Sequence, residues 1–357
     1  MNRAEAIPGR GLPERRAGVA GSPLPRIHNV KPYLSGRGTK ASVRLYFCSD
    51  IHGSEVCWRK FLAAPAFYGA DVIVVGGDIT GKFIVPIQRE RNGHAQAEFL
   101  GVVRRTRTEA DLATLKRRIA DAGQYAYETT SEEYAVLAAD PTAIDGLFQR
   151  LVAERISGWL QMADDRLRDS GVRCLVSGGN DDFFSVDEAL SRSSLIEDPN
   201  GRRLDLPDDV EMIGMGYGNL TPWACPRDIP EDELAARIAP LAEAIRNPSR
   251  AVFNFHVPPF DSGLDTAPKL DAQLRMTMTG SGPEMVPVGS TAVRDAIIRY
   301  RPMLALHGHI HESKGVRQVG PTTVVNPGSE YAEGVLNGAV IEIDRKVGVR
   351  SVQLVSG

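Results

Sequence analysis

The feature that most constrains the fold is a series of short apolar runs, each followed by a side chain that can bind a metal ion. The run at residues 43–48 leads to Asp50 and His52, and the run Asp71–Val75 leads to Asp78. Buried strands of parallel sheets have this length and composition. In open α/β sheets, ligands bind beyond the carboxyl ends of the strands. We therefore expect these side chains to lie at one edge of a sheet.

Later runs continue the series. The polar side chains that follow them are Asn180, His256, His307, His309 and His311. Between the runs, apolar residues recur with the helical period, most clearly over residues 144–167. The alternation of strands and helices predicts an α/β fold. Short strands after residue 320 suggest in addition a second, more antiparallel sheet.

Each of these side chains also has an ordinary structural explanation. A histidine such as His256 after an apolar run is more often a core residue than a ligand, and Asp78 and Asn180 after glycines are typical of turns. Asp50 and His52, however, are two positions apart, so in extended backbone they point the same way and can reach one ion. Because the ordinary explanations must all hold at once, we favour a metal site.

The predicted metal ligands are two carboxylates, one amide and four imidazoles: Asp50, His52, Asp78, Asn180, His256, His309 and His311. This set suits Mn, Fe, Zn or Co better than Ca, and it contains no thiolate. Seven ligands are too many for one tetrahedral zinc ion and suit two ions that share a carboxylate. Two ions about 3.5–4 Å apart can clamp the attacking and leaving oxygens of a phosphoryl displacement.

The order of the motifs is Asp-x-His, Gly-Asp, Gly-Asn, His and Gly-His-x-His. This order resembles that of the calcineurin-like metallophosphoesterase family, over residues 43–345 except for an insert. The resemblance implies two mixed β-sheets sandwiched between helices, and two divalent metal ions (Mn, Fe or Zn) as cofactors. The ligand assignments that it implies are Asp50, His52 and His311 for one ion, Asn180, His256 and His309 for the other, and Asp78 as the bridge.

The activity implied by the resemblance is that of a metal-dependent phosphoric ester hydrolase. A hydroxide bridging the two metals attacks a phosphodiester, and the expected partner is a small or nucleotide-like phosphorylated substrate. A non-catalytic metal-binding scaffold of the same fold is the alternative from another class; within enzymes, the alternatives are a phosphomonoesterase or a nuclease. No residue is predicted to bind an organic cofactor, because no helix follows the glycines at 214, 216 and 218, as a dinucleotide loop requires.

The sequence departs from the family pattern at Asp181, where many members have a histidine that protonates the leaving group or steadies the transition state. A carboxylate beside two cations tends to stay ionised and is a poor acid. Three interpretations remain: Asp181 orients a neighbouring ligand, another group or water donates the proton, or Asp181 itself is the acid. His307 and His94 are candidate replacement donors. The predicted catalytic residues are thus Asp78, Asp181 and His307.

Two segments fall outside the motif series. Residues 1–40 are rich in Arg, Gly and Pro and are predicted to be a disordered leader, with a poorly chosen start codon or a bound arm as alternatives. Residues 41–357 are predicted to form the metallophosphoesterase-like domain, with an insert at 82–140. A helix expected at about 109–120 makes this insert a helical cap or lid. Its arginines are interpreted as a solvated surface or, alternatively, as contacts to substrate phosphate.

Composition limits the other function classes. A net charge of −3 over 357 residues argues against broad nucleic-acid binding, which needs a basic surface. No apolar run reaches the roughly 18 residues of a membrane span, so no membrane partner is expected. The four cysteines are scattered and two lie in apolar runs, which favours buried reduced thiols and a cytoplasmic location. The sequence does not indicate an oligomeric state.

Overall fold

The computed structural model describes residues 7–8 and 42–357 of the chain. The predicted leader at residues 1–40 lies outside the described residues except for a short strand, β1 (Ile7–Pro8), which pairs antiparallel with the insert. Among the described residues, no helix combines the length and the apolar composition that crossing a bilayer requires.

Helices and strands alternate along most of the chain. The α-helices of the described residues are α1 (Glu55–Tyr68), α2 (Glu109–Asp121), α3 (Ser131–Ala138), α4 (Pro141–Leu167), α5 (Ser185–Leu190), α6 (Glu231–Glu243) and α7 (Thr291–Tyr300). The strands after β1 are β2 (Ser42–Cys48), β3 (Val72–Val75), β4 (Phe83–Arg89), β5 (Ala95–Phe99), β6 (Val102–Thr106), β7 (Tyr125–Thr129), β8 (Arg173–Val176), β9 (Ile196–Glu197), β10 (Arg203–Leu206), β11 (Val210–Met215), β12 (Gly218–Asn219), β13 (Asp228–Ile229), β14 (Ala251–Phe255), β15 (Thr266–Pro268), β16 (Met278–Thr279), β17 (Gly282–Pro283), β18 (Met285–Pro287), β19 (Leu304–Leu306), β20 (Gly315–Val319), β21 (Thr322–Asn326), β22 (Asn337–Asp344) and β23 (Gly348–Ser356). The predicted helices at 109–120 and 144–167 correspond to α2 and α4.

Two six-stranded mixed sheets form the body of the protein. The first has the order β23-β22-β2-β3-β8-β9, and the second has the order β10-β11-β14-β19-β21-β20. In the first sheet, β2, β3, β8 and β9 are parallel, and β22 and β23 extend one side by antiparallel pairing. In the second sheet, β11, β14, β19 and β21 are parallel, and the antiparallel strands β10 and β20 flank them. The strands after residue 320 were predicted to form a second, more antiparallel sheet. A second sheet exists, but these strands do not form it together, because β21 joins the second sheet and β22 and β23 join the first. A run of strand-forming residues in the sequence identifies a strand, but it does not show which other strand pairs with it.

The two sheets pack face to face through side chains that alternate along each strand. In β2, Val43, Leu45 and Phe47 belong to the buried cluster between the sheets, whereas Tyr46 and Cys48 belong to the cluster on the opposite face. The cluster between the sheets also holds apolar side chains of β11, β14 and β19. Helices α1, α4 and α5 cover the outer face of the first sheet, and α6 and α7 cover that of the second. The predicted arrangement of two mixed sheets between helices is confirmed.

Helix α1 begins directly after the loop that follows β2. Its first turn is capped by Ser54, whose hydroxyl accepts a hydrogen bond from the Cys57 backbone N–H, as N-cap serines commonly do. One turn on, Trp58 stacks on Trp159 of α4 with ring centroids 4.7 Å apart. Its indole N–H also donates to the Trp159 carbonyl at 3.3 Å. Both indoles are buried, so this contact fixes the longest helix to the start of α1.

The insert is a small sheet with a helix packed on it. Strands β4 to β7 form this sheet together with β1, and α2 packs against its buried face. The predicted helix is confirmed, with Thr108 and Asp111 forming its capping box. The description of the insert as a helical cap covers only α2 and α3, because strands β4 to β7 of the small sheet also lie within residues 82–140. In β5, Ala95, Ala97 and Phe99 are buried in alternation, and alanine gives a weak strand signal in a sequence.

Candidate metal centre

The candidate ligands lie where strands of the two sheets end. Those of the first sheet follow β2, β3 and β8 and are Asp50, His52, Asp78 and Asn180. Those of the second sheet follow β14 and β19 and are His256, His309 and His311. Because the strands that carry them are parallel within each sheet, their carboxyl ends share an edge. The structure brings all seven predicted side chains together at these edges.

Asp50, His52 and His311 form the first group. The Nε2 atoms of His52 and His311 lie 3.1 Å apart, and Asp50 Oδ1 lies 3.4 Å from His311 Nε2. Asp50 and His52 are buried, whereas the His311 side chain is partly exposed. One ligand atom from each residue lies within 4.8 Å of the others, so the three side chains can converge on one cation.

Asp78, His256 and His309 form the second group, again with ligand atoms within 4.8 Å of one another. Asp78 Oδ1 lies 3.3 Å from His256 Nε2. The amide oxygen of Asn180 lies 2.9 Å from His309 Nδ1 and joins this group. The other oxygen of Asp78 lies 3.8 Å from His52 Nε2, so this carboxylate stands between the two groups.

Left-handed backbone is concentrated at the candidate ligands. Asp50, His52, Asp78 and His309 have φ angles of 56°, 38°, 49° and 65°. A residue with a side chain adopts this conformation at a cost of about 1–2 kcal/mol. Hydrogen bonds of 3.0 Å from Asp50 N to Gly77 O and from His52 N to Asp78 O hold the first two loops in place. Strain of this kind clusters at functional sites, because the surrounding structure must maintain it.

Glycine is required at two positions where the backbone approaches a carboxylate. A Cβ on Gly179 would lie 2.2 Å from Asp78 Oδ1, and a Cβ on Gly308 would lie 2.1 Å from Asp50 Oδ2. Such close approach of backbone to a polar side chain is open only to glycine. Next to Gly308, the His309 N–H donates to both Asp50 oxygens at 3.0 Å. Steric exclusion of a Cβ therefore explains why glycine precedes the ligand in the Gly-Asn and Gly-His motifs.

The carboxylates and imidazoles shift one another's pKa values. Burial opposes ionisation of Asp50, but the hydrogen bond from His311 and the charge of His256 outweigh it and hold the pKa of Asp50 below its usual range. The pKa of Asp78 is lowered as well, since the charge of His256 outweighs burial there. Burial lowers the pKa of His256, but the two carboxylates raise it to about 9. Burial lowers the pKa of His309 to about 4.

These residues fit divalent metal ions. Among the described residues, the buried His256 Nε2 makes no hydrogen bond of good geometry, although Asp78 Oδ1 lies 3.3 Å away. Buried polar atoms normally have one, and an unpaired atom is costly. Coordination of a cation by an imidazole nitrogen removes this cost. A mixed set of carboxylate, amide and imidazole ligands is of the kind that binds Mn, Fe or Zn.

Asp181 lies beside the second group, but its side chain pairs with a lysine. Its backbone N–H donates to Asp78 Oδ1 at 3.0 Å, and its Oδ2 lies 2.7 Å from Lys82 Nζ. Burial raises the pKa of Asp181, and the charge of Lys82 opposes this rise. Sequence reasoning missed Lys82, because a single lysine at the start of the insert belongs to no periodic pattern or motif.

The two histidines predicted as replacement proton donors lie apart from this group. His307 is fully buried, and its Nδ1 lies 2.7 Å from the Phe255 carbonyl and 3.1 Å from the Val257 carbonyl. Burial lowers the pKa of His307 to about 4. His94 lies in the turn between β4 and β5. Neither residue lines the cavity over the candidate ligands.

Two further carboxylates hold the ligand-bearing loops, and sequence reasoning missed both. The carboxylate of Asp182 is buried and accepts hydrogen bonds of 3.0, 2.9 and 2.8 Å from the backbone N–H groups of Ile79, Thr80 and Gly179. Asp228 Oδ1 accepts a hydrogen bond of 2.8 Å from Asn180 Nδ2. The first contact ties the loop after β3 to the loop after β8, and the second orients the candidate amide ligand.

A cavity of about 1850 Å³ opens over the candidate ligands. Its lining includes Asp78, Asn180, His309 and His311. The insert contributes Phe83 and Leu100 to the lining, and Leu220, Trp223 and Phe260 line the cavity as well. Charged ligands and apolar walls therefore share one space, as in many small-molecule sites.

Solved structures resemble this architecture of two mixed sheets between helices. One crystal structure is 18% identical and is matched over 88% of this chain and 98% of its own, with a TM-score of 0.50. The protein TT1561 of Thermus thermophilus is 13% identical over 88% of this chain and 98% of its own, with a TM-score of 0.49. Yfce, a phosphoesterase from E. coli, is 14% identical over 87% of this chain and 98% of its own, with a TM-score of 0.29. At these identities the likeness concerns the fold alone.

In sequence, the chain is similar to Uncharacterized protein MJ1162 from Methanocaldococcus jannaschii, with 27% identity over 151 residues. The match covers 42% of this chain and 61% of MJ1162, so it spans less than two thirds of that relative. No family model matches the chain.

Proposed function

We propose that this protein is a metal-dependent phosphoesterase that hydrolyses a phosphodiester of small or nucleotide-like character. The observation that supports this most is the position of the Asp78 carboxylate, 3.3 Å from His256 Nε2 on one side and 3.8 Å from His52 Nε2 on the other. A carboxylate shared by two groups of imidazoles is the arrangement expected for two divalent ions. Such ions supply Lewis-acid chemistry to a phosphate ester.

The chain itself holds the proposed ligands in position. These are Asp50, His52 and His311 for one ion, Asn180, His256 and His309 for the other, and Asp78 for both. Backbone groups orient the carboxylates, since His309 N–H donates to Asp50 and Asp181 N–H donates to Asp78, each at 3.0 Å. Positioning and electrostatic stabilisation by preorganised groups account for most of the catalysis in phosphoryl transfer.

The cavity supports a substrate larger than inorganic phosphate. Its volume of about 1850 Å³ exceeds the roughly 300–1000 Å³ of ordinary small-molecule sites. Trp223 and Phe260 supply aromatic surface to the lining, and Leu100 of the insert adds an apolar side chain. Aromatic side chains stack on planar groups such as aryl rings or bases. A small diester with one such group fits this space.

We assign Asp181 to the orientation of a neighbouring group and not to proton donation. Its Oδ2 lies 2.7 Å from Lys82 Nζ, and an ammonium at this distance favours the ionised carboxylate. An ionised carboxylate has no proton to give to the leaving group. His307 is a poor substitute, because it is fully buried and does not line the cavity. Water is therefore the proposed donor.

Metal content and hydrolysis, measured on the same preparation, test this proposal. After reconstitution with Mn²⁺, we expect two ions per chain and hydrolysis of bis(p-nitrophenyl) phosphate. Asp78→Asn is expected to abolish this turnover, because an amide cannot serve as a shared anionic ligand. Asp165→Asn, at an exposed position of α4, is the matched control and is expected to keep full activity.

The other outcomes separate the alternatives. Two bound ions without turnover of any diester, monoester or cyclic nucleotide would support a non-catalytic scaffold. Absence of bound metal in the wild-type protein, or full activity of Asp78→Asn, would contradict the proposal.

A further inference from the structure

Lys82 and Asp181 form a buried ion pair beside the candidate ligands. Lys82 Nζ lies 2.7 Å from Asp181 Oδ2, and each side chain is only 11% exposed. Both residues line the same cavity as Asp78 and Asn180. Lysine and aspartate are rarely buried to this extent unless they are paired, and burial of such a pair carries a desolvation cost. Because of this cost, a gain in stability alone does not explain why the pair lies at this position.

The lysine keeps its charge in this environment. Burial lowers the pKa of Lys82, but the carboxylates of Asp181 and Asp78 outweigh burial and raise it above the ordinary value. A cation thus lies beside Asp181 in the cavity that Asp78, Asn180 and His309 also line.

We propose that Lys82 binds an oxygen of the substrate's phosphate group and that Asp181 is the residue that positions it. This inference rests on the proposed function, since it assumes a phosphate ester in the cavity. A lysine ammonium has three N–H donors, and phosphate oxygens are strong acceptors for them. Among the described residues, the pair with Asp181 is the one ion pair recorded for Lys82. It fixes the direction of the side chain at the edge of the cavity.

The location of the pair in the chain supports this role. Lys82 follows Asp78 along the loop after β3, and Asp181 directly follows Asn180 in the loop after β8. The pair is thus carried by the same two loops as two of the proposed metal ligands. A phosphate group placed against those ligands would occupy the same cavity that Lys82 and Asp181 line. A purely structural pair would hold the loops together without any effect on phosphate.

Binding of inorganic phosphate distinguishes these two roles. Isothermal titration is carried out on the Mn²⁺-loaded protein and on the protein in EDTA. For Lys82→Met we expect an affinity about 10- to 100-fold weaker, the usual loss for one hydrogen bond to a charged group. Lys82→Arg is expected to recover most of this affinity, because it keeps a cationic donor. Asp181→Asn is expected to fall between wild type and Lys82→Met.

Lys116→Met is the matched control. Lys116 belongs to α2 of the same insert and is ion-paired with Glu128, but its side chain is 41% exposed and it does not line the cavity. We expect it to leave phosphate affinity and turnover unchanged. For the ester, Lys82→Met is expected to raise KM and to lower kcat/KM, and Lys82→Arg is expected to reverse both changes.

Unchanged phosphate affinity in Lys82→Met would overturn the inference, and so would an equal loss in Lys82→Met and Lys82→Arg. If Lys82→Met fails to fold, as judged by its melting curve, Lys82→Gln takes its place in the same comparison. Phosphate bound through Lys82 in a protein that hydrolyses no ester would keep this inference and refute the proposed function. If the wild type hydrolyses the diester and Lys82→Met behaves like the wild type, the proposed function would stand and this inference would be refuted.

Discussion

Asn180 Nδ2 donates a hydrogen bond of 2.8 Å to Asp228 Oδ1, and this contact decides which end of the amide faces the candidate metal ligands. With its N–H₂ group held by Asp228, Asn180 presents its oxygen 2.9 Å from His309 Nδ1. The second oxygen of Asp228 accepts backbone hydrogen bonds of 3.0 Å from Thr221 and Cys225. Asp228 is therefore fixed on both sides and acts as an anchor for Asn180.

Replacement of Asp228 by asparagine is predicted to weaken metal binding. An amide at this position must turn its N–H₂ group either toward Asn180 or toward the Thr221 and Cys225 N–H groups, and in both cases donor faces donor. Partners that orient metal ligands typically change metal affinity by about 10- to 100-fold when they are altered. We expect a loss of this size for Mn²⁺, measured by competition with a chelating indicator.

Asp232→Asn is the control for this change. Asp232 is exposed in the first turn of α6, a few positions along the chain, and it makes the same change in charge. Wild-type affinity in Asp232→Asn with a loss in Asp228→Asn assigns the effect to the contact with Asn180. Equal affinities in the two variants would show that Asp228 does not orient the ligand.

The pKa of His256 predicts how the stability of the metal-free protein depends on pH. Burial lowers this pKa, but the carboxylates of Asp78 and Asp50 raise it from 6.5 to about 9. A raised pKa contributes stability that is complete below the unfolded value near 6.5 and is lost as the pH rises through about 9. In EDTA, the melting temperature of the wild type is therefore expected to approach that of His256→Gln between pH 6.5 and 9.

Circular dichroism melts of three proteins check this expectation. His94→Gln is the matched control, since His94 lies in a turn of the insert. Its melting temperature is expected to run parallel to that of the wild type across the whole range. A difference between wild type and His256→Gln that stays constant from pH 6.5 to 9 would contradict the assigned charge on His256.

The candidate ligands could be predicted from the sequence because each follows a local pattern. Asp50 and His52 come directly after an apolar run, and the strand end and the two-residue spacing are visible without a structure. Lys82 and Asp228 could not be predicted. Each is a single polar residue outside the apolar runs, and its role depends on a partner from a distant part of the chain. Asn180 and Asp228, for example, are 48 positions apart.

The fold, too, has parts that could be predicted from the sequence and parts that could not. The buried strands β2, β3, β8 and β14 are mostly apolar, which is why an α/β core was predictable. The arrangement in two sheets was implied by the family resemblance and not by the apolar runs. The sheet of the insert was not predictable, because its strand β5 buries Ala95, Ala97 and Phe99, and small residues give little contrast between faces. Pairing partners of the strands after residue 320 were missed for another reason: they depend on contacts with β2 and β19, far earlier in the chain.

The close approach of Gly308 to Asp50 predicts the effect of a single methyl group. In Gly308→Ala, the added Cβ would lie 2.1 Å from Asp50 Oδ2 and 2.1 Å from Ser49 Oγ, so one of these groups must move. Overpacking of this kind costs about 1–3 kcal/mol. We expect the free energy of unfolding in EDTA, measured with urea, to fall by this amount. We also expect Mn²⁺ affinity to fall, because Asp50 is displaced from His311.

Gly158→Ala is the control, and its expected effect has the opposite sign. Gly158 lies in the interior of α4, where an added Cβ meets nothing within 4 Å. Alanine at such a helical position is more stable than glycine by about 0.5–1 kcal/mol. We expect Gly158→Ala to raise the free energy of unfolding and to leave Mn²⁺ affinity unchanged. Stabilisation by both substitutions would show that Asp50 can move aside, and the strand-end loops would then not define the position of this carboxylate.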